Sequence, residues 1–270
     1  MSKTKPPSPS SLGLFGRYDG NILGGIMIGV GMTLTGSCPG SVLIQLSAGI
    51  RSGWYVFAGG LLGGALYTQL SPYLQRNQAH ISPEIRPTIQ SKFAIQTSHA
   101  LAAYELLCAI FLTIVSGPKG TSVSLHPFLG GFSIGAAQAA SLILTGNAVG
   151  VSTVYEVIMR YFGRLSQPFL GQRKSEKTTL PPMRPVYFAV GMVGGGFVLL
   201  RLFPSTFLGS SQSITATNGL VGGLIMVLGA RIAGGCTSGH GISGMSMLSI
   251  SSIITVGSMF VGGISSALLT

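Results

Sequence analysis

Residues 222–240 read Gly-Gly-Leu-Ile-Met-Val-Leu-Gly-Ala-Arg-Ile-Ala-Gly-Gly-Cys-Thr-Ser-Gly-His, an apolar run that ends in a cysteine. Residues 24–41 read Gly-Gly-Ile-Met-Ile-Gly-Val-Gly-Met-Thr-Leu-Thr-Gly-Ser-Cys-Pro-Gly-Ser, with the Gly-Gly pair again fourteen positions before the cysteine. A degenerate third copy begins at Gly130-Gly131 and reaches Leu144-Thr-Gly-Asn147 at the same spacing, without a cysteine. Self-similarity of this kind predicts an internal structural repeat.

Composition indicates a lipid environment for this repeat. The chain has 270 residues, of which 46% are hydrophobic and only 8% are charged, whereas a soluble domain carries about a quarter charged residues. The apolar residues form runs of roughly membrane-spanning length. These runs lie near 20–37, 52–70, 96–116, 126–145, 186–203, 218–235 and 250–268. We therefore expect an all-α polytopic membrane protein with about seven or more transmembrane helices.

The positive charge predicts the orientation of the chain. Twelve of the sixteen lysines and arginines lie in residues 1–19, 71–95 and 160–185. Basic segments remain on the cytoplasmic side during insertion, so topology explains the charge, and no nucleic-acid partner is needed. We expect a disordered cytoplasmic N-terminal segment over 1–19, without a signal peptide, and a cell-membrane location.

With these three segments inside, the runs before the two cysteines cross the bilayer in opposite directions. Inverted repeats of this type are typical of transporters. Short segments near 38–50, 146–159 and 237–249 are too short to cross and too apolar for exposed loops, so they are interpreted as re-entrant. The expected organisation is one transport domain over 20–268, with repeat copies near 24–70, 130–160 and 222–268.

The chemistry of the site is concentrated around the cysteines. Glycine allows close backbone approach, and Pro39 disfavours helical geometry at Cys38. A short helix that begins after each cysteine would point free amides at the thiol, which favours an anion, and sulfur is a soft partner for a sulfur-containing species. The candidate substrate-binding residues are Cys38, Cys108, Cys236, Gly36, Ser37, Pro39, Gly40, Asn147, Gly235, Thr237, Ser238, Gly239, His240 and Gly241.

For several other side chains the sequence leaves alternatives open. Arg231 is costly in lipid, so it either supplies positive potential to the pathway or extends to the interface. Glu105 and Cys108 share a helical face, which suggests a supporting carboxylate and a third thiol. Asn147 fits either the pathway or a helix–helix hydrogen bond, and His240 fits a ligand, a proton acceptor or a cap. The cysteines have no Cys-x-x-Cys spacing, so neither a zinc site nor another cofactor is expected.

The run Gly229-Ala-Arg-Ile-Ala-Gly-Gly-Cys-Thr-Ser-Gly-His-Gly-Ile-Ser-Gly244, together with Gly36-Ser-Cys-Pro-Gly40, resembles the YeeE/YedE sulphur-transport family over about 20–268. The resemblance implies an hourglass of helices and re-entrant loops that takes up thiosulfate or related anions. It also implies that cysteines pass the substrate along by transient hydrogen bonds. Cys38 and Cys236 match by motif, and Cys108 matches by its mid-chain placement. A soluble sulfur-carrier protein is the partner implied.

We therefore expect a transporter or channel-like uptake protein for a small sulfur-containing anion, with thiosulfate as the expected substrate, and no enzymatic activity. The alternative from the enzyme class is a membrane thiol-redox or sulfur-transfer protein that uses Cys236. A third hypothesis is a membrane scaffold without transport. Loss of either motif cysteine should leave uptake and sulfur chemistry unchanged in that case.

Overall fold

The computed structural model describes residues 7–78, 127–145, 150–166, 181–202 and 214–269, together with positions 88–89, 99, 102–103, 105–106 and 110. Within these residues the regular structure is helical, apart from one isolated bridge between Thr88 and Ser249. The elements are α1 Asp19–Thr35, α2 Pro39–Ser47, α3 Arg51–Gln78, α4 Pro127–Thr145, α5 Ser152–Ser166, α6 Arg184–Leu202, α7 Ala216–Ile232, a π-helical segment Thr237–Gly244 and α8 Ile250–Leu269. The all-α fold class is confirmed.

Three stretches of the described residues are long and apolar enough to cross a membrane, namely Asp19–Ser47, Arg184–Leu202 and Ile250–Leu269. A fourth results if α7 and the π-helical segment count as one span, bent by 47° at the break between them. The predicted number of seven remains a prediction, and most of the expected run 96–116 lies outside the described residues.

The two cysteine motifs have the same local structure. In each motif a long helix ends, a glycine two positions before the cysteine takes a left-handed conformation, and a short helix starts directly after the cysteine. The φ angle is 58° at Gly36 and 81° at Gly234. The cysteines that precede the short helices are both extended, with φ/ψ of −99°/164° at Cys38 and −97°/−169° at Cys236. Only glycine adopts the left-handed turn at little cost, which explains why both motifs contain it.

Helices α1 and α7, which precede the two cysteines, pack closely in antiparallel directions. A Cβ added to Gly31 would lie 2.6 Å from the Cβ of Met226, and one added to Gly229 would lie 2.6 Å from the Cβ of Met27. Gly24 faces the end of α7, and its added Cβ would be 2.6 Å from the Ala233 nitrogen. Small residues permit this approach of two helices in a membrane.

The long helix of each motif also packs in parallel against the last helix of the other motif. Gly223 of α7 faces Val56 and Gly60 of α3, while Gly25 of α1 faces Thr255 and Met259 of α8. The short helices extend this pattern, since α2 packs against α3 and α6 and the π-helical segment packs against α8. Helices α1, α3, α7 and α8 thus form a core that holds both cysteine motifs in position.

Residues 7–18, which fall in the segment expected to be disordered, have defined contacts with this core. The Ser10 amide donates to Asn21 Oδ1 at 2.8 Å, and Ser10 Oγ donates to the Ile232 carbonyl at 2.5 Å. The Asp19 carboxylate accepts from the amides of Leu12 and Leu14 at 2.6 and 2.7 Å. The buried Asp19 and Asn21 side chains satisfy backbone groups that would otherwise remain unpaired, and this orders the segment.

Candidate functional site

Cys38 is the residue that caps helix α2. Its Sγ accepts the Ser41 amide at 3.3 Å, and its own amide donates to Ser41 Oγ at 2.8 Å. Pro39 occupies the first turn, where its missing N–H costs nothing. Ser37 is buried and accepts a hydrogen bond from Gln45 Nε2 at 2.7 Å. The thiol is partly exposed and lies at the amino end of a helix, a place that favours negative charge.

Cys236 is buried, with 1% of its surface exposed. Its Sγ lies 3.1 Å from Ser238 Oγ, and the Gly239 amide also lies near the sulfur. Two further amides near this sulfur belong to Val151 and Ser152, where helix α5 begins. The amino ends of two helices therefore converge on one sulfur atom.

Tyr155 of α5 connects the two cysteine motifs. Its hydroxyl donates to the Pro39 carbonyl at 2.9 Å, and the side chain lies near both Cys38 and Cys236. Its ring lies against Gly60, where an added Cβ would be 2.8 Å from Cε1. Since Tyr155 is only 1% exposed, its ring fills the space between the motifs.

Val151 borders both motifs as well. A Cβ added to Gly40 would lie 3.9 Å from Cys38 Sγ, 3.8 Å from Val151 Cγ2 and 3.9 Å from Met192 Cε. The same Val151 directs its amide to Cys236. The beginning of α5 is thus shared by the two thiol environments, with an apolar lining next to Cys38.

A charged cluster lies directly after Tyr155 on α5. Glu156 forms ion pairs with Arg160, at 2.7 Å, and with Arg231 of α7. The Arg231 guanidinium also lies 5.2 Å from the ring centroid of Tyr67 and 3.4 Å from Thr153 Oγ1. Arg231 therefore faces protein, as its cost in lipid requires, and two guanidinium groups share one carboxylate.

His240 has two hydrogen-bond partners inside the protein. Nδ1 lies 3.0 Å from Ser252 Oγ and Nε2 lies 3.1 Å from the Ala233 carbonyl oxygen. A carbonyl can only accept, so Nε2 carries the proton and Nδ1 accepts from Ser252. The ring is fully buried against Gly235. This geometry joins the end of α7 to α8 and leaves neither ring nitrogen directed to a substrate.

Thr237 and Gly241 line a cavity of about 480 Å³ between α1, α8 and the π-helical segment. The remaining lining is mostly apolar and includes Met32, Met259 and Gly263. Thr237 directly follows Cys236, so a neighbour of the buried thiol in the chain lines this cavity.

The other predicted residues are less informative. Cys108 and Asn147 lie outside the described residues, and Glu105 is exposed. Among the residues that the structure describes, no group of three or more His, Cys, Asp and Glu side chains lies close enough to hold a metal ion. The roles of these predicted residues stay predictions.

Sequence reasoning did not identify the contribution of α5. The sequence predicts only a short re-entrant element over the segment 146–159. This segment contains Val151, Ser152, Tyr155 and Glu156. The sequence feature that could have indicated the role of α5 is the Tyr155-Glu156 pair. In a membrane protein with few charged residues, a carboxylate next to a tyrosine requires polar partners.

The apolar helices and paired cysteine motifs define a membrane transport protein, and sequence comparison gives its family. A family model described as sulphur transport matches residues 6–265, so the chain belongs to the sulphur transport family. A probable transporter of Xylella fastidiosa strain 9a5c is 32% identical over 142 residues, which is 53% of this chain and 91% of the relative. The thiosulfate transporter TsuA of Spirochaeta thermophila is 26% identical over 252 residues, covering 86% of this chain and 72% of TsuA. The resemblance to the YeeE/YedE family is confirmed.

Proposed function

We propose that this protein takes up a small sulfur-containing anion, with thiosulfate as substrate, by way of Cys38 and Cys236. The observation that carries the proposal is the environment of Cys236 Sγ, where amides of Gly239, Val151 and Ser152 converge. An anion that hydrogen-bonds to the thiol would meet these amides and the positive ends of two helices. The relationship to TsuA, whose name states thiosulfate transport, agrees with this chemistry.

The combination of thiols with amides favours thiosulfate over sulfate. Both anions accept hydrogen bonds from amides through oxygen, but only thiosulfate has a terminal sulfur, which is soft and polarizable like the cysteine sulfur. The lining near Gly40, formed by Val151 and Met192, is apolar, and it suits the less strongly hydrated sulfur end. Selectivity would therefore arise at the cysteines.

We further propose that the two motifs are inverted repeats, related by a two-fold axis in the membrane plane. The support is the antiparallel packing of α1 and α7, in which Gly24 approaches Gly229 and Gly31 approaches Gly222. Gly24 and Gly222 are equivalent positions of the fourteen-residue motif, and so are Gly31 and Gly229. Exchanging the two copies of the motif therefore converts one contact into the other. With the basic segments inside, Cys38 would lie toward the outer side and Cys236 toward the inner side, with the N-terminus in the cytoplasm.

The decisive experiment measures uptake of labelled thiosulfate into proteoliposomes. Cys236→Ala and Cys38→Ala should each reduce the initial rate at least about tenfold, since a hydrogen bond to a charged ligand contributes about 1.5–3 kcal/mol. Sulfate should compete poorly. Normal uptake by both variants, with the wild-type protein active, would contradict the pathway proposal.

Uptake and sulfur transfer can be separated at the same thiol. A persulfide or mixed disulfide trapped on Cys236 during turnover would favour the sulfur-transfer alternative. A soluble sulfur-carrier protein as acceptor on the cytoplasmic side remains a proposal, which a pull-down with candidate carriers would test.

A further inference from the structure

We propose that Arg160 and Arg231 form a second anion-binding station, separate from the cysteines and adjacent in the chain to Tyr155 and Cys236. The assignment of the substrate as its transient occupant rests on the proposed function. The proposal that an oxyanion binds at this place does not rest on the proposed function. It follows from the charge and geometry of the arginine cluster, which comprises Glu156, Arg160 and Arg231.

The cluster carries a surplus of positive charge in a poorly exposed place. The side chain of Glu156 is 8% exposed, that of Arg231 is 17% exposed and that of Arg160 is 26% exposed. Among the described residues one carboxylate pairs with these two guanidinium groups, so one positive charge remains. An uncompensated charge that is withdrawn from water is costly, and an incoming anion would remove that cost.

Both arginines also have an Nε donor that no described residue accepts. The Nε atoms of Arg160 and Arg231 are buried and have no hydrogen-bond partner among the residues that the structure describes. A buried donor without an acceptor costs about 1–3 kcal/mol. Guanidinium groups bind oxyanions through paired N–H donors, so these two Nε atoms fit the oxygens of a small tetrahedral anion.

The cluster is fixed in position by its neighbours. Tyr67 lies against the Arg231 guanidinium, and Thr153 Oγ1 lies 3.4 Å from its Nη1. Arg231 precedes Cys236 by five residues, and Glu156 directly follows Tyr155. Short stretches of chain therefore connect the arginine cluster to Cys236 and to Tyr155.

The arginine cluster is expected to bind an oxyanion whether or not the anion has a terminal sulfur. Because no thiol belongs to the cluster, sulfate should bind here as well as thiosulfate, whereas the cysteines should discriminate between them. The phosphate of an anionic lipid has the same chemistry, and the partial exposure of Arg160 makes lipid a second source of the ligand.

The test measures thermal unfolding of the purified full chain against sulfate concentration, in a neutral detergent without anionic lipid. Wild-type protein should gain stability with sulfate, and Arg160→Gln should raise the half-saturating concentration at least about tenfold, from the loss of one charge-assisted interaction. Arg184→Gln is the matched control, since it removes an exposed arginine from the start of α6, and it should respond like the wild type.

Glu156→Gln separates ligand binding from a merely structural role. This variant should unfold at lower temperature without sulfate, because two partly buried arginines then lose the carboxylate they share, and it should gain more stability from sulfate than the wild type. An equal sulfate response in wild type, Arg160→Gln and Glu156→Gln would overturn the proposal.

A repeat in neutral-lipid vesicles, with and without phosphatidylglycerol, identifies the source of the anion. Competition between this lipid and sulfate would assign the station to a headgroup, and a sulfate response that ignores the lipid would assign it to the free anion. Thermal unfolding does not depend on uptake, so a protein that binds sulfate here but fails to transport thiosulfate would contradict the proposed function alone.

Discussion

The Tyr155 hydroxyl donates a hydrogen bond to the carbonyl oxygen of Pro39 at 2.9 Å. This bond joins α5, whose first amides point at Cys236, to the residue that follows Cys38. A movement of either motif is therefore transmitted to the other through one buried side chain. On the proposed route, the same side chain occupies space between the two cysteine motifs.

Tyr155→Phe should change transport more than stability. Loss of the hydroxyl leaves the buried Pro39 carbonyl without this donor, at a cost of about 1 kcal/mol, while the ring still fills its place against Gly60. We expect an altered maximal rate of thiosulfate uptake. Tyr161→Phe, which removes a hydroxyl bonded to the Pro181 carbonyl outside the cysteine motifs, is the control. If the two variants transport alike, Tyr155 has no special role.

Ser152→Pro tests the amide that α5 directs at Cys236. Ser152 is the first residue of α5, where proline fits the helix and removes only an N–H that has no partner within the helix. We expect the KM for thiosulfate to rise about tenfold. Ser152→Ala retains the amide and should keep the wild-type KM. An increase in both variants would attribute the effect to the hydroxyl.

His240→Ala should destabilise the protein without changing substrate affinity. The substitution leaves the Ala233 carbonyl and Ser252 without their ring partner and opens a cavity at a fully buried position. We expect a loss of about 2–4 kcal/mol, measured by chemical or thermal unfolding. The KM of the folded fraction should remain unchanged, and a tenfold rise would return His240 to the substrate-binding residues.

Gly31→Ala and Gly229→Ala should each destabilise the packing of α1 on α7. The added Cβ would lie 2.6 Å from a Cβ of the facing helix in both cases, and overpacking of this kind costs about 1–3 kcal/mol. The two losses should be similar because the positions are equivalent in the motif. Gly257→Ala in α8, where an added Cβ meets nothing within 4 Å, should be neutral or stabilising.

The sequence was sufficient for the helical fold and for the equivalence of the two cysteine motifs. Apolar runs, glycine pairs and the spacing to Cys38 and Cys236 are local patterns, so most helix bounds could be predicted to within a few residues. Helix α3 is an exception, since it extends to Gln78, beyond the expected run 52–70. The left-handed turns at Gly36 and Gly234 follow from the same patterns, because glycine is the residue that suits them.

The contribution of α5 could not be predicted, since it depends on which helix ends face each other in space. Nothing local indicates that the Ser152 amide meets a sulfur 84 positions away. For His240 the sequence left a ligand, a proton acceptor and a cap open, and its ring partners Ala233 and Ser252 are set only after the chain turns back. The order of residues 7–18 likewise depends on distant partners such as Ile232.

The burial of Tyr155 has a consequence for the electrical insulation of the membrane. An uptake route with a permanent water column would leak protons and small ions and would dissipate the membrane potential. Here Tyr155, Cys236 and Val151 are each 1% exposed, so side chains rather than water fill the proposed route at these residues. Conduction then requires that an anion displace these side chains, which limits leakage between turnovers.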